Sequence, residues 1–226
     1  MNELAARVRG VRPHERSLVA LDGVDGSGKT TFAVRLASLL SPRPVVTIHL
    51  DDFLHPSNIR HARGRDSAEG FWLDTYDYEA FEACVLRPLG PQGDGTYRTR
   101  SFDADADRVT TSPTLSAAPD SIVLVDGMFL HRDELLGRWD FSIFLDVPFD
   151  ETARRMAERD GSHPDPNHPS MRRYVQGQRL YFSNAKPWER ASVVIDNSDS
   201  VTPRLMPVGI PVGPNQRVSR SISHSD

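Results

Sequence analysis

Five stretches of this chain are apolar, β-branched and of strand length, and most are followed by a segment with helical spacing. They are residues 17–21, 45–50, 121–126, 141–146 and 193–196. Near-continuous apolar runs of this length predict strands buried on both faces. Between them, apolar residues recur at three- and four-residue spacing. In 31–40 they are Phe32, Leu36, Leu39 and Leu40; in 78–89 they include Phe81, Val85 and Leu89. Further helices are predicted over 132–136, over 150–159 behind Pro148, and over 172–182 with an extension toward Trp188. Strands alternating with helices predict an α/β fold, a doubly wound, mostly parallel sheet covered by helices on both faces. In such sheets ligands gather beyond the carboxyl ends of the strands, so strand-terminal residues are the first candidates for function.

Punctuation between the elements is clear. Ser41-Pro42-Arg43-Pro44 stops the first long helix, and Gly90-Pro91 stops the second. Residues 55–70 read as a polar loop or lid, 96–102 as an exposed strand or hairpin, and 110–120 as a Pro/Ser/Thr/Ala loop. Three prolines make 161–169 a loop. Residues 1–12 lack the apolar centre of a secretory signal and read as a short surface helix. The expectation is one domain over 1–205, with a helical and loop lid at about 150–175. Residues 206–226, rich in Pro, Gly and Ser, are expected to be a poorly ordered tail.

The first strand runs into Gly23-Val24-Asp25-Gly26-Ser27-Gly28-Lys29-Thr30, followed by Thr31 and the helix. Strand, G-x-x-x-x-G-K-[ST], helix is the context in which this spacing means a phosphate-binding loop. Glycines let backbone N–H groups turn inward around phosphate oxygens, and the helix N-terminus adds partial positive charge. Lys29 reaches the outer phosphates and the Thr30 hydroxyl can ligate Mg²⁺. Residues 23 and 25–31 are therefore the expected ATP-binding segment.

Composition narrows the class. The 226 residues suffice for one substantial domain, and a net charge of -4 gives no electrostatic case for nucleic acid. Cys84 is the single cysteine, which excludes an intrachain disulfide and a cysteine metal cluster. It lies in a helical pattern and reads as core. No apolar run reaches the ~18 residues of a membrane span. The sequence reads as a soluble cytoplasmic protein, and it is compatible with a homo-oligomer.

Two other strands end in carboxylates. Asp126 closes an apolar run, as expected of the residue that holds Mg²⁺ opposite Thr30; the alternative is a cap on the next turn. Asp51 and Asp52 end the second run. Phosphoryl transfer to an alcohol needs a group to accept or orient the acceptor proton. One of the pair should face the site because strand residues alternate, and Asp51 is the choice over a simple turn cap. Arg154, Arg155 and Arg159 fall on one predicted helix, with Arg155 and Arg159 on one face; Arg172 and Arg173 begin the next. A pair of guanidiniums near a closing loop can stabilise charge on a moving phosphoryl group, although pairing with Glu151, Glu158 or Asp160 is the plainer role. His163 and His168 have no third ligand and read as surface loop. Asp74, Asp77, Asp103, Asp105 and Asp107 could accept hydrogen bonds from substrate hydroxyls. Phe53, Phe71, Trp72, Tyr76 and Tyr78 could wall a ring-shaped substrate, though aromatics more often fill a core.

The segments 23–31, Asp51-Asp52-Phe53, Asp126-Gly127 and 154–160 resemble, in order, the uridine kinase family of the phosphoribulokinase and pantothenate kinase group. The resemblance spans about residues 17–196. It implies a P-loop kinase using ATP and Mg²⁺ to phosphorylate the 5′-hydroxyl of uridine, cytidine or a related nucleoside. It matches Asp51 to the family's catalytic aspartate, places Asp126 where the family usually has a metal-associated glutamate, and sets Asp77 and Asp103 near the acceptor. With the residue-based reading above, the expected catalytic set is Lys29, Asp51, Arg155 and Arg159, the metal set Thr30 and Asp126, and the acceptor set Phe53, Asp77, Asp103 and Arg173. Phe102-Asp103 resembles the family's segment near the base. Leu54 departs from its usual tyrosine, and residues 105–108 replace its downstream histidine and arginine. Both departures fall on the base-reading side. The alternatives are a kinase for another metabolite, such as pantothenate, or for a nucleoside monophosphate, and a P-loop regulatory protein. No Asn-Lys-x-Asp guanine motif and no Gly-Gly-Gln signature occurs.

Overall fold

The computed structural model describes residues 1–207. Its centre is a six-stranded sheet. The strands are β1 Ser17–Gly23, β2 Val45–His49, β3 Ile122–Gly127, β4 Phe141–Asp146, β5 Val193–Asp196 and β6 Arg204–Leu205, in the spatial order β6-β5-β4-β1-β3-β2. The first five are parallel, as the apolar runs predict. β6 adds antiparallel to β5 and has no apolar pattern of its own, so its pairing comes from backbone hydrogen bonds. The Met206 N–H donates to the Val194 carbonyl at 2.9 Å, so the expected tail begins as an extension of the sheet. Residues 208–226 of that expected tail lie outside the described residues.

The alternation of side chains builds two cores. Leu18 and Ala20 of β1, with Val123 and Val125 of β3, face one side. Val19 and Leu21, with Ile122 and Leu124, face the other. Helices α1 (Asn2–Arg9) and α2 (Lys29–Ala37) cover the second face through Leu4, Val8, Phe32 and Leu36. Helices α3 (Ala68–Leu73), α4 (Phe149–Asp160) and α5 (Arg172–Ala185) cover the first with Phe71, Met156 and Tyr181. Each fully buried Leu, Val or Phe contributes about 1.5–3 kcal/mol, and this sum holds the sheet between its helices. α3 and α5 meet closely: a Cβ on Gly177 would stand 2.7 Å from the Phe71 ring.

Several boundaries shift for local reasons. The Asp51-Asp52 segment belongs to a 3-10 turn, Leu50–Phe53, and not to the strand. The polar 55–70 stretch holds a helical turn, Ser57–Arg60, and the start of α3, where the Ser67 hydroxyl accepts the Gly70 N–H at 3.0 Å. The 78–89 helix carries a π segment at Glu82–Leu86. Residues 132–136 form only a 3-10 turn, Asp133–Leu135. At the end of the sheet away from the phosphate loop, buried Arg43 donates to the carbonyls of Asp120, Val11, Glu15 and Arg9 and to Ser17 Oγ. Burial pulls its pKa down. Among the described residues, no helix is long and apolar enough to cross a membrane.

Candidate active site at the phosphate loop

β1 delivers the glycine loop and α2 begins at Lys29. Gly26 (φ 72°) and Gly28 (φ 85°) take left-handed conformations that favour glycine. A Cβ on Gly26 would also stand 2.5 Å from the Thr152 carbonyl oxygen, so α4 lies directly on the loop. Asp25 Oδ1 accepts the Gly26 N–H at 2.9 Å, which shapes the turn. Lys29 Nζ donates to the Val24 carbonyl at 2.9 Å, folding its side chain back over the loop. Two groups hold the loop from outside. Asn197, just past β5, donates to the Ser27 carbonyl at 2.8 Å, and Arg155 of α4 donates to the carbonyls of Asn197 and Ser198 at 2.9 Å.

Across the loop, Thr30 Oγ1 donates to Asp126 Oδ2 at 3.2 Å. Neighbouring ligands of an octahedral Mg²⁺ with ~2.1 Å bonds lie about 3 Å apart, so these two hard oxygens fit the ion. Among the described residues no cluster of three His, Cys, Asp or Glu could hold a metal by itself. A Mg²⁺ here would therefore share its shell with phosphate oxygens and water, as this ion prefers. The other oxygen of Asp126 lies 2.5 Å from His49 Nδ1, and that hydrogen bond raises the His49 pKa.

Asp51, Asp126, Lys29 and Thr30 line one hollow of about 270 Å³, together with Asp25, Arg155 and Arg159. Asp51 reaches it from the 3-10 turn after β2. Its Oδ1 accepts the Tyr76 hydroxyl at 2.7 Å. Asp52 does not line this hollow. Its backbone carbonyl accepts the Ser101 N–H at 3.1 Å, and burial raises its carboxyl pKa against the pull of His49 and Arg100. Gly28, Thr31 and Arg155 also line a second hollow of about 530 Å³, bounded by Arg35, Arg154 and Ser198. The phosphate hollow and this larger one thus adjoin along the start of α2.

The remaining candidates are dispersed. Phe53 is fully buried and packs edge-on against Phe81 at 5.3 Å. Asp77 caps its helix by accepting the Ala80 N–H at 2.9 Å, and Asp103 accepts the Ala106 N–H at 3.1 Å. Arg173 donates to the backbone carbonyls of Arg60 and Arg65, which ties α5 to the segment between β2 and α3. Arg159 is mostly exposed, paired with Asp160 at 2.7 Å and near Asp25 at 3.5 Å. Arg154 pairs with Glu151 and Glu158 on the surface. His163 and His168 stack on each other at 3.7 Å. Phe71 and Tyr76 belong to the core, with Trp72 and Tyr78 packed against it.

Sequence reading passed over Asp22, His131, Tyr181 and Asn197. Asp22 is completely buried beneath the loop. It accepts the Gly23 N–H at 2.7 Å, His131 Nδ1 at 2.7 Å and the Tyr181 hydroxyl. One signal existed: Asp22, like Asp126, is a lone carboxylate ending an apolar run. Its partners are 109 and 159 residues away, and no local pattern connects them.

No family model and no curated protein matches this chain. Solved structures do. A possible uridine kinase from Bacillus stearothermophilus superposes with a TM-score of 0.68 at 22% identity, covering 85% of this chain and 95% of its own. A protein assigned as a fructose transport system kinase from Silicibacter sp. TM1040 gives 0.62 at 25% identity, over 80% and 95%. Phosphoribulokinase from Rhodobacter spheroides gives 0.57 at 14% identity, over 81% and 70%. With its parallel sheet and glycine loop, this chain has the fold of the P-loop kinases of the uridine kinase and phosphoribulokinase group.

Proposed function

We propose that the protein is a phosphotransferase that uses ATP and Mg²⁺ to phosphorylate a hydroxyl of a small molecule, with the 5′-hydroxyl of uridine or cytidine as the first acceptor to test. One observation carries the reading. Asp51 lines the same hollow as Lys29, Thr30 and Asp126, which brings an acceptor-side carboxylate to the phosphate loop. Transfer to an alcohol needs a group that accepts or orients the acceptor's proton, and in this reading Asp51 supplies it. The names of the structural neighbours, uridine kinase and phosphoribulokinase, support the same class.

In this reading Lys29 and the loop amides bind the β- and γ-phosphates of ATP. Thr30 and Asp126 would hold Mg²⁺, which would supply positive charge against that developing on the phosphate oxygens. The acceptor oxygen forms a bond to the γ-phosphorus, its proton passes to Asp51, and the bond to the β,γ-bridging oxygen breaks to release ADP. Arg159 exchanges its surface carboxylate partners for phosphate oxygens as the lid closes. Arg155 keeps α4 seated on the loop beside them.

Asp77, Asp103 and Arg173 are all engaged inside the chain. That favours, as a second reading, a metabolite alcohol other than a nucleoside. ADP release measured with ATP alone and with ATP plus a panel of nucleosides, pantothenate and sugar alcohols separates these readings. Stimulation by one acceptor identifies it, and no stimulation by any rejects the kinase. An Asp51→Asn variant that binds ATP yet keeps full turnover would remove Asp51 as proton acceptor.

A further inference from the structure

Asp51 is not held by its own turn alone. Leu54 and Tyr76 form an antiparallel bridge. On either side of it the Asp77 N–H donates to the Phe53 carbonyl at 2.8 Å, and the His55 N–H donates to the Thr75 carbonyl at 3.0 Å. The segment after α3 is thereby fixed against the turn that carries Asp51. From this bridge the Tyr76 side chain returns to Asp51, its hydroxyl 2.7 Å from Oδ1.

The ring behind that hydroxyl is itself fixed. Tyr76 is 2% exposed and lies between Tyr78, at 5.9 Å, and Phe129, at 6.2 Å. Phe129 has a left-handed backbone, φ 65°, rare for a bulky residue and maintained only where surroundings over-determine it. Those surroundings are the rings of Phe71, Trp72 and Tyr181, each within 5.6 Å. Phe129 comes directly after the Asp126-Gly127-Met128 segment. One rigid aromatic cluster thus anchors the tyrosine that holds Asp51 and begins beside the strand that ends in Asp126.

A phenol donating to one carboxylate oxygen does two things. It removes the freedom of the carboxylate to rotate, and it leaves the second oxygen to face the hollow. Burial and the Asp51 charge both raise the Tyr76 pKa well above the usual value, so the hydroxyl remains a donor throughout the working range. Charges facing Asp51 come from several elements. His49 and Asp52 lie on its own segment, Asp25 on the loop, Lys29 at the start of α2, Asp126 on β3, and Arg155 and Arg159 on α4. Tyr76 is the group bonded directly to it.

We propose that Tyr76 is a positioning residue for phosphoryl transfer, holding Asp51 Oδ1 so that Oδ2 is presented to the acceptor hydroxyl. The proposal rests on the kinase reading above. Tyr76→Phe keeps the ring and its packing and removes only the donor. The expected result is a kcat lowered about 10- to 100-fold with an unchanged KM for ATP. In an Asp51→Asn background the same substitution has no further effect on kcat. Full kcat in Tyr76→Phe, or an equal loss with and without Asp51, overturns the proposal. A readout independent of turnover is the crystal structure of Tyr76→Phe beside that of the wild type. The Asp51 carboxylate leaves its wild-type orientation in the variant if the hydroxyl holds it, and an unmoved carboxylate also overturns the proposal. Should the wild type show no acceptor-dependent ADP release, the kinase reading fails by that assay, and the pair of structures still decides the Tyr76–Asp51 pairing.

Discussion

Thr30 Oγ1 donates to Asp126 Oδ2 at 3.2 Å, joining the first turn of α2 to the end of β3. β1 and β3 are adjacent and parallel, with Leu21 in register with Asp126, so the strand pairing itself brings the two oxygens together. Replacing Asp126 by Asn keeps the shape and removes the charge. The expected outcome is a turnover lowered about 100-fold or more, with a raised Mg²⁺ requirement. ATP binding without metal stays near wild type. Turnover against Mg²⁺ concentration and calorimetric titration with ATP in chelator check this. An unaltered Mg²⁺ dependence removes Asp126 from the metal site.

Lys29 meets the Val24 carbonyl and has little part in the fold. Lys29→Met should therefore leave the melting curve unchanged and reduce ATP-dependent turnover by about 10²- to 10³-fold, the usual cost of losing one preorganised donor to transition-state charge. Thermal denaturation and steady-state kinetics on the same preparation separate the two effects.

Gly26 and Gly161 share a left-handed backbone, with φ 72° and 76°. They differ in what surrounds them. A Cβ on Gly26 meets the Thr152 carbonyl at 2.5 Å, whereas one on Gly161 meets nothing within 4 Å. Gly161→Ala should cost about 1 kcal/mol of backbone strain. Gly26→Ala should cost more, about 2–4 kcal/mol, because α4 must move off the loop, and it should also weaken ATP binding. Urea denaturation of the two variants tests the difference, and equal destabilisation would falsify the close approach of α4.

Arg43 is buried at the opposite end of the sheet and donates to four carbonyls and a hydroxyl. Arg43→Met strands those acceptors without partners. A loss of about 3–5 kcal/mol is expected, read as a lowered urea midpoint. Turnover of the folded fraction should be unaffected, because the substitution lies away from the phosphate loop.

Glu151 tests the seating of α4 through pH. Its carboxyl accepts from Arg154 and Arg155, and those hydrogen bonds, the one from Arg154 foremost, lower its pKa below the usual carboxylate value. A group depressed in the folded state stabilises the protein above its unfolded pKa, ~4.3, and that stabilisation disappears as pH falls through the folded value. Because the group is partly exposed, the contribution is about 0.5–1 kcal/mol. Wild type should therefore lose slightly more stability than Glu151→Gln between pH 6 and pH 3, measured by thermal melting at fixed ionic strength.

The outline of the site was legible in the chain because its parts are local. A glycine loop between strand and helix carries its meaning within eight residues, and Asp126 and Asp51 announce themselves by ending apolar runs. Parallel order then implied that their strand ends share one edge. The chain's pattern also determined the two-sided burial of β1 and β3, since a near-continuous apolar run leaves no solvent-facing side.

What the tertiary structure decided is how those parts are held. Tyr76 reaches Asp51 over 25 residues, and Tyr181 reaches Asp22 over 159. Asp77, expected to accept from the substrate, caps a helix, while Tyr76, expected either to wall a ring-shaped substrate or to fill the core, bonds Asp51. Arg155 lines the phosphate hollow with its donors on Glu151 and on the carbonyls of Asn197 and Ser198, and Arg173 donates to the carbonyls of Arg60 and Arg65. The reason is physical. Strand and loop propensities arise from neighbours in sequence, so the pattern reveals them. A buried hydroxyl or guanidinium takes whichever acceptor the fold leaves unpaired beside it, and that is known only once the sheet and helices have come together.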